Sequence, residues 1–499
     1  MKKESIQSDP PIKGEPAFQH RSYYVNFASH LLNRWNVNVL FPGATNQWSL
    51  TEWRRLLEMV KAFGYTCFEY WVAPTLYTPE ALQGDEKCER FARTMRQVTA
   101  IAHELGLNTK YIAVPNCIGH RWYFACPNLP EDLELIEKLW RYWSRELSGT
   151  DIVGVFPGDP GGCNRNGCDC TTWIDLALRM ADITQAENPD ATIEFGTWGS
   201  PFSGWGDDMI RVPDWDGTWE EMTQTASGCH IWKGTPDRAE RAMTELMRRL
   251  PEFPEDTMVA MNLGFSPESD PTVGGDARPY VRELSSTHRV NSWDYAVTEG
   301  ELVPYPHWRI PRILARRREE QHTAGYFGAT NYTMTPGLSH LCMYAGAQAA
   351  IDPEQDPDSL ARGFSRRVFG SEHEKVGELM EAFEVVPGWG HHPRRRWGRR
   401  SAHRAYLRMI DHLESAEMTD CELPLFPSPE QYREDLLWFA RQFVVLSGEE
   451  PDRDVVREKY WQNAFAIYDN IPMSVDRRAR NATERFSRIM ADDPPLIEP

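Results

Sequence analysis

The feature that most constrains this fold is an eightfold alternation of short apolar segments and amphipathic helical segments over about 330 residues. Each apolar segment has the length of a β-strand, and most are rich in β-branched or aromatic residues. Several helical segments end at a glycine just before the next strand, as helices commonly do. Strands that alternate with helices form parallel sheets, and eight of them predict an α/β fold, a closed (β/α)8 TIM barrel.

The predicted strands are Tyr23–Ala28, Tyr65–Val72, Thr109–Pro115, Asp151–Phe156, Ala191–Thr197, Thr257–Leu263, Arg289–Asp294 and Thr323–Thr330. The predicted helices between them are Leu50–Phe63, Glu89–Leu105, Glu131–Leu147, Trp173–Glu187, Asp237–Leu250 and Trp308–His322. The eighth unit is long and runs through Leu338–Ile351. No Gly-x-Gly-x-x-Gly follows the first strand, which counts against a dinucleotide-binding sheet.

Beyond residue 352 the strand signal fades, and four segments are predicted to be helical: 355–386, 397–417, 428–447 and 453–491. The chain is therefore expected to divide into three parts. Residues 1–20 form a flexible N-terminal tail, residues 21–354 form the catalytic barrel, and residues 355–499 form a helical region packed on the barrel.

Charge and hydropathy exclude several kinds of partner. The formal net charge of −19 argues against nucleic acid. The basic stretch around Arg394 and Arg400 is then expected to be a solvated or interdomain face. No run approaches the roughly 20 apolar residues that cross a membrane. The N-terminus has two lysines but no apolar core after them, so a cytoplasmic protein is expected. A homo-oligomer stays possible.

Carboxylates follow or end several of the predicted strands. In such barrels the active site lies at the C-terminal ends of the strands. Five acidic residues fall there: Glu69, Asp159, Glu194, Asp294 and Glu299. Glycoside hydrolysis needs two carboxyl groups, one to protonate the leaving oxygen and another to attack, activate water or support a group of the substrate. The pattern predicts a glycosidase, with Asp159, Asp294 and Glu194 as catalytic candidates.

Each candidate also has an ordinary structural explanation. Asp159 lies in the glycine-rich turn Gly158–Gly162, which lets a ligand approach, but an Asp can also cap its own turn. Asp294 lies between aromatic residues that can raise the pKa of an acid, or it can bond a neighbouring loop. Glu194 lies inside a strand, where it is catalytic or paired if it faces the barrel interior, and Glu69 has the same ambiguity.

Aromatic and polar residues near the same strand ends are candidates for substrate binding. Sugar rings present apolar C–H faces that stack on aromatic planes, although large aromatics also simply fill a large core. The candidates are Glu69, Trp71, Asn116, His120, Trp198, Trp293, Tyr295 and Asn331. We therefore expect an oligosaccharide or glycoside substrate. The enzyme is expected to be exo-acting on short oligosaccharides and to require no cofactor.

A cysteine cluster directly follows the Asp159 turn. Cys163, Cys168 and Cys170 lie within eight residues, and Cys126 is a possible fourth member. Thiolates in such a group can bind a structural zinc, which would fix the loop that carries Asp159. Thiols that pack the loop, or a disulfide, are the alternatives.

Several segments resemble the hexosaminidase-like and α-glucuronidase-like (β/α)8 glycoside hydrolases, in particular bacterial barrel proteins of that group. The segments lie between about residues 120 and 370: the Gly158–Cys163 turn with its cysteines, Cys126–Glu131, Trp293–Tyr295, Ile351–Pro353 and Val368–Gly370. The resemblance implies a barrel fold and carbohydrate chemistry.

One position departs from this resemblance. Family 20 hexosaminidases place Asp-Glu after strand four, where the Asp orients the substrate acetamido group and the Glu is the acid. Here Asp159 matches the Asp, but Pro160 stands in the place of the Glu. The acid is then expected from another strand, as Glu194 or Asp294. Two alternatives remain open: a non-hydrolytic sugar-binding or degenerate barrel, and a metal-dependent sugar-acid isomerase or lyase.

Overall fold

The computed structural model describes residues 15–25, 48–72, 76–118, 123–157, 166–197, 236–261, 278–294, 310–333, 339–381 and 400–446. Its centre is a closed barrel of eight strands, in which each strand pairs with its neighbours in sequence and the eighth pairs with the first. The strands whose register is defined, from the second to the seventh, pair in parallel. The predicted (β/α)8 barrel is confirmed.

The barrel strands are β1 (His20–Val25), β2 (Cys67–Trp71), β3 (Asn108–Ala113), β4 (Ile152–Val155), β5 (Thr192–Gly196), β6 (Met258–Ala260), β7 (Arg289–Asp294) and β8 (Gly328–Thr333). The helices that follow them are α1 (Leu50–Phe63), α2 (Glu86–Glu104), α3 (Pro130–Glu146), α4 (Cys170–Glu187), α5 (Pro236–Arg249), α6 (Arg278–Ser285), α7 (Ile310–Ala324) and α8 (His340–Ile351). Four more α-helices follow within the described residues: α9 (Pro357–Phe369), α10 (Val376–Glu381), α11 (Arg400–Ser415) and α12 (Pro429–Leu446).

Local signals explain why α1 begins and ends where the sequence predicts. Ser49 caps its first turn, and Glu52 bonds back to the Ser49 backbone, which forms a capping box. The helix ends at Gly64, whose φ of 102° is a left-handed conformation that favours glycine. A Cβ added to Gly64 would lie 2.8 Å from Ile351 Cδ1, so a larger residue would also force the end of the Ile351 side chain to move.

The structure differs from the sequence prediction at both ends of the barrel sequence. The first strand begins at His20, three residues before the predicted start at Tyr23, and Phe18 before it is fully buried. The last strand is Gly328–Thr333, because α7 extends through Thr323 to Ala324. Helix α6 and a small hairpin, Cys117–Ile118 with Tyr123–Phe124, were not predicted. The helix predicted at 453–491 lies outside the described residues.

Two compact units can be distinguished, one drawn from 1–22, 66–294 and 319–330, and the other from 23–65, 295–318 and 331–499. The predicted boundary at 354/355 is not tested by this division. In the second unit, α1 packs with α8 and α9, which follow the last barrel strand. Phe63 contacts Tyr344 of α8 and Phe364 of α9 edge-on, at centroid distances of 5.5 and 6.4 Å. Aromatic packing of this kind explains why the second unit includes α1.

Glycines make room for large side chains inside the barrel. A Cβ on Gly196 of β5 would lie 2.6 Å from the ring of Phe156, and one on Gly154 of β4 would lie 2.6 Å from Ile112. Such distances are too short for real atoms, so these two positions exclude a side chain. Phe156 and Ile112 fill the space instead, as in a packed barrel core.

Two buried histidines are expected to make the fold sensitive to acid. Burial lowers the pKa of His340 to about 3, although its hydrogen bond to the Phe426 carbonyl opposes this, and burial and nearby cations lower the pKa of His20 to about 3. Below pH 6.5 the unfolded chain binds protons at both positions that the folded chain does not bind. The free energy of unfolding therefore falls as the pH drops from 6.5 towards 3, by about 2 kcal/mol per histidine at pH 5.

His340→Gln tests this expectation, because a Gln amide can still donate to the Phe426 carbonyl, which lies 2.6 Å from His340 Nε2. Urea unfolding of the wild type and of His340→Gln is measured at pH 7 and pH 5. The variant should lose about 2 kcal/mol less than the wild type between the two pH values. Equal losses in both proteins would contradict the expectation.

Candidate active site

The C-terminal ends of the parallel strands lie at one side of the barrel, which we call the mouth. Trp71 is the last residue of β2, Trp293 is the penultimate residue of β7, and both keep 8% of their surface exposed. Asp294 is the last residue of β7. The mouth therefore has two slightly exposed tryptophans at strand ends, where a barrel enzyme binds its substrate.

Several predicted site residues lie outside the described residues. These are Asp159, His120, Trp198, Tyr295 and Cys163. For Asp294 the backbone position is described and the side chain is not.

A buried ion network lies in the interior of the barrel. Lys110 of β3 lies 3.1 Å from Glu69 Oε1 on β2 and forms a second, short ion pair with Glu194 on β5. None of the three side chains has any exposed surface. Lys110 and Glu194 come from strands that are not neighbours in the sheet, so their contact crosses the interior.

Burial and pairing act on this network in opposite directions. Burial alone lowers the pKa of Lys110, but the Glu194 and Glu69 carboxylates outweigh it and raise that pKa, so the ammonium stays charged. Burial raises the pKa of Glu194, Lys110 opposes this rise, and the Glu69 charge adds to it. Buried charges of this kind persist because they are paired and hydrogen-bonded.

Hydrogen bonds from three other strands, β1, β7 and β8, complete the network. Glu69 accepts from Ser22 Oγ at 2.7 Å and from Thr330 Oγ1 at 3.2 Å, both at Oε2. At Oε1 it accepts from the indole nitrogen of Trp293 at 2.7 Å. Glu194 accepts from the Asn291 amide at 2.9 Å. Glu69 thus has four donors around its two oxygens when Lys110 is included, which fixes the carboxylate in place.

Phe156 contacts both the ion network and the mouth. Its ring centroid lies 5.5 Å from Lys110 Nζ, a cation–π contact, and 5.0 Å from the ring centroid of Trp293. Phe156 follows β4 directly, on the strand that leads to Asp159. The aromatic pair of Phe156 and Trp293 therefore joins the ends of β4 and β7 above the ion network.

This geometry changes how Glu69 and Glu194 are interpreted. The sequence suggested carboxylates at the rim of the barrel, whereas each is the third residue of a five-residue strand and is fully buried beside Lys110. A general acid must reach the leaving oxygen of its substrate. The direct catalytic role of Glu194 stays a prediction, and its pairing with Lys110 favours a supporting role.

The two predicted asparagines have different surroundings. Asn116 lies in the turn after β3 and is fully buried, and neither atom of its side-chain amide has a hydrogen-bond partner in the part of the chain that the structure describes. Asn331 donates to Tyr65 Oη at 3.1 Å and accepts from Arg317 of α7 at 2.8 Å. Because Thr330 reaches the interior, its strand neighbour Asn331 faces the opposite side. The structure does not bring Asn331 to the mouth.

Sequence reasoning missed the central residue of the network. Lys110 lies in the strand Asn108–Ala113, in which every residue after the exposed Asn108 is buried and most are apolar. A lysine inside such a strand must find a negative partner or lose its charge. That signal, together with the single glutamates inside β2 and β5, could have predicted an interior ion network.

The cysteine cluster is partly assembled within the described residues. Cys126 Sγ and Cys168 Sγ lie 3.6 Å apart, and Asn166 donates its amide to Cys126 Sγ at 3.3 Å. Cys170 is the first residue of α4. Within the described ranges, no group of three or more His, Cys, Asp or Glu side chains is arranged to hold a metal ion. Zinc binding through Cys126, Cys163, Cys168 and Cys170 therefore stays a prediction.

Comparison with known proteins gives neighbours by structure alone. No family model matches the sequence. No curated protein matches it significantly. In the described part of the chain, no helix has the length and hydropathy needed to span a membrane.

Three solved structures illustrate the structural likeness. A GH138 enzyme targeting pectin rhamnogalacturonan II shares 9% identity and a TM-score of 0.47 over 96% of this chain and 63% of that chain. A mutant O-GlcNAc hydrolase from Thermobaculum terrenum shares 12% identity and a TM-score of 0.45 over 95% of this chain and 96% of that chain. CpGH84B shares 10% identity and a TM-score of 0.48 over 94% of this chain and 77% of that chain.

These neighbours are glycoside hydrolases, and this chain spans less than two thirds of the length of the GH138 enzyme. At such low identities and TM-scores the likeness establishes neither a family nor an activity for this chain. The barrel itself rests on the strand pairing described above.

Proposed function

We propose that this protein is a glycoside hydrolase that acts from the end of short oligosaccharides with carboxylates at the barrel mouth. The observation that carries the proposal is the closed parallel barrel, in which the ends of β2, β4 and β7 share one side. Asp294 ends β7, and Asp159 follows the end of β4 by four residues. Trp71 and Trp293 at the same side offer aromatic surface to sugar rings.

The proposed roles follow from what hydrolysis requires. Asp294 protonates the leaving oxygen, and Asp159 attacks, activates water or orients a neighbouring group of the substrate. Glu194 and Glu69 hold the interior below the mouth, since their oxygens are already bonded to Lys110, Asn291 and Trp293. Asn116 stays a predicted substrate-binding residue; its amide lacks a partner among the described residues, but it is fully buried and would have to become accessible to bind a sugar hydroxyl.

A substrate screen tests the proposal directly. Purified protein is incubated with a panel of aryl glycosides and with glycan mixtures, and the products are identified by mass spectrometry. We expect release of a terminal sugar from at least one member. Tight glycan binding without any product would overturn hydrolysis and favour the sugar-binding alternative, which Pro160 suggests. Turnover that a chelator abolishes would favour the metal-dependent isomerase or lyase.

The distance between Cys126 and Cys168 supports a further part of the proposal, a structural zinc. With Zn–S bonds of about 2.3 Å and tetrahedral angles, two thiolate ligands lie about 3.8 Å apart. The observed 3.6 Å is close to this value and far from the roughly 2.05 Å of a disulfide. Cys126 follows the small hairpin and Cys168 precedes α4, so the ion would tie these two segments together. Cys163 and Cys170 are the further ligands that the sequence predicts.

We expect about one zinc per chain after dialysis against zinc and then against metal-free buffer, measured by elemental mass spectrometry. Cys126→Ser and Cys168→Ser should each lose most of it, because hydroxyls replace thiolate ligands. Cys342→Ser, at a buried thiol in α8, is the matched control and should keep the metal. A wild type that retains no zinc, or a Cys342→Ser that loses it equally, would refute the site.

A further inference from the structure

We propose that Glu69 is a positioning residue, which locks the indole of Trp293 as a preformed stacking platform for a sugar ring at the barrel mouth. The inference rests on the proposed glycosidase function and deepens it. In this proposal Trp293 contacts the substrate, and Glu69 affects substrate binding only through the orientation of Trp293.

Two contacts hold the indole of Trp293, one at its nitrogen and one at its ring. Its nitrogen donates to Glu69 Oε1 at 2.7 Å, across the barrel interior from β7 to β2. Its ring packs against Phe156 at a centroid distance of 5.0 Å and an interplanar angle of 54°. Rotation of the indole out of this position would break a hydrogen bond to a carboxylate in a fully buried setting, where such a bond is strong.

The acceptor itself cannot move to follow the indole. Glu69 is bound by Lys110 at 3.1 Å, by Ser22 at 2.7 Å and by Thr330 at 3.2 Å, and these residues come from three different strands. Lys110 is in turn paired with Glu194. The orientation of Trp293 is therefore set by the barrel as a whole and not by its own loop.

The exposed surface separates the two roles. Glu69 has none, so it cannot contact a substrate without rearrangement of the barrel. Trp293 keeps 8% exposed at the penultimate position of its strand. An aromatic ring that is already ordered binds a sugar face without the entropy cost of immobilising a side chain. The ion network thus supplies preorganisation to the site although it takes no part in the chemistry.

The main test replaces the acceptor and leaves the ion pair balanced. Glu69→Met removes the acceptor of the indole nitrogen, while Lys110 stays paired one to one with Glu194. In protein labelled with 5-fluorotryptophan, the Trp293 resonance is assigned by its absence in Trp293→Phe. We expect this resonance to shift or broaden in Glu69→Met. We also expect KM for a cleaved aryl glycoside to rise roughly 2- to 12-fold with little change in kcat, the cost of ordering one side chain on binding.

Two variants of the same network separate positioning from general stability. Glu69→Gln keeps an amide oxygen that can accept from the indole, so it should restore the resonance and the KM towards wild type. Ser22→Ala removes a hydrogen bond of the same 2.7 Å length from the other oxygen of Glu69, and it should change both readouts much less than Glu69→Met, because Lys110 and Thr330 still hold the carboxylate that accepts from the indole. If Glu69→Met does not fold, Glu69→Asp is used, because it keeps the charge beside Lys110 but shortens the reach to the indole.

The outcomes distinguish this inference from the proposed function. An unchanged Trp293 resonance in Glu69→Met or Glu69→Asp overturns the positioning role, even if glycosides are hydrolysed. A resonance that changes equally in Ser22→Ala also overturns it, since the effect would then come from the network in general. If no glycoside is cleaved, the proposed function fails, and the resonance alone still decides whether Glu69 positions Trp293.

Discussion

Asp294→Asn and Asp159→Asn are each expected to lower kcat by about 10²- to 10⁴-fold, the usual contribution of a positioned acid or base. An amide has nearly the shape of the carboxyl group but can neither deliver a proton nor act as a nucleophile. The effects should differ in kind. If Asp294 is the acid, its loss should weigh most on substrates with poor leaving groups, because these need protonation, and least on activated aryl glycosides.

The comparison needs a matched aspartate that does no chemistry. Asp256 precedes β6 and therefore lies at the opposite end of the barrel from the mouth, where its carboxylate accepts from Thr192 at 2.8 Å. Asp256→Asn should leave kcat within about a factor of two of wild type, since most surface substitutions have small effects. The kinetics of all three variants are measured on folded protein, checked by circular dichroism. Wild-type kcat in Asp294→Asn and Asp159→Asn would refute their assignment.

Lys110→Met is expected to destabilise the fold by about 3–5 kcal/mol, the usual cost of removing one partner from a buried ion pair. Two carboxylates, Glu69 and Glu194, would remain in the interior without a cation. Urea unfolding measures the loss. Lys138→Met is the matched control, because Lys138 pairs with Glu134 on the exposed face of α3 and should cost no more than about 0.5 kcal/mol.

Lowering the pH should reduce the difference in the free energy of unfolding between Lys110→Met and the wild type. Burial already raises the pKa of Glu194, and Lys110 opposes that rise, so the variant raises the pKa further. When a carboxyl group has a higher pKa in the folded state than in the unfolded state, the folded state binds its proton first as the pH falls. The free energy of unfolding therefore rises as the pH falls through the folded-state pKa. Two results would contradict the proposed role of Lys110. One is that Lys110→Met lowers the free energy of unfolding by less than about 1 kcal/mol at pH 7. The other is that the difference between the variant and the wild type increases at lower pH.

Much of the barrel could be predicted from the sequence because its signals are local. The capping box at Ser49 and the left-handed Gly64 define α1 within a few residues of chain, and β7 was predicted with its observed bounds, Arg289–Asp294. The eighth strand was misplaced, because Thr323 and Ala324 continue α7, which ends directly before Gly325 with its left-handed φ of 62°. The boundary between a helix and a short strand that closely follows it is difficult to predict from sequence.

The candidate site was predicted less completely, for a reason visible in Asn331 and Lys110. Lys110 lies inside a predicted strand, and Asn331 directly follows one. The face of the sheet on which each side chain lies depends on the register of its strand in the closed barrel. That register turns Asn331 towards Arg317 and Tyr65 and turns Thr330 into the interior. A shift of one residue would exchange the two.

By itself, the sequence determined the alternation of strands and helices, and with it the end of the barrel at which Asp159 and Asp294 are expected. Helix caps, hydrophobic periodicity and strand composition act over a few neighbouring residues, so they are readable in one dimension. Only the tertiary structure decided that Glu69 and Glu194 meet Lys110, and that Glu69 holds Trp293 from 224 positions away along the chain. Such contacts exist because closing the barrel brings distant strands together across a narrow interior, where every charge needs a partner.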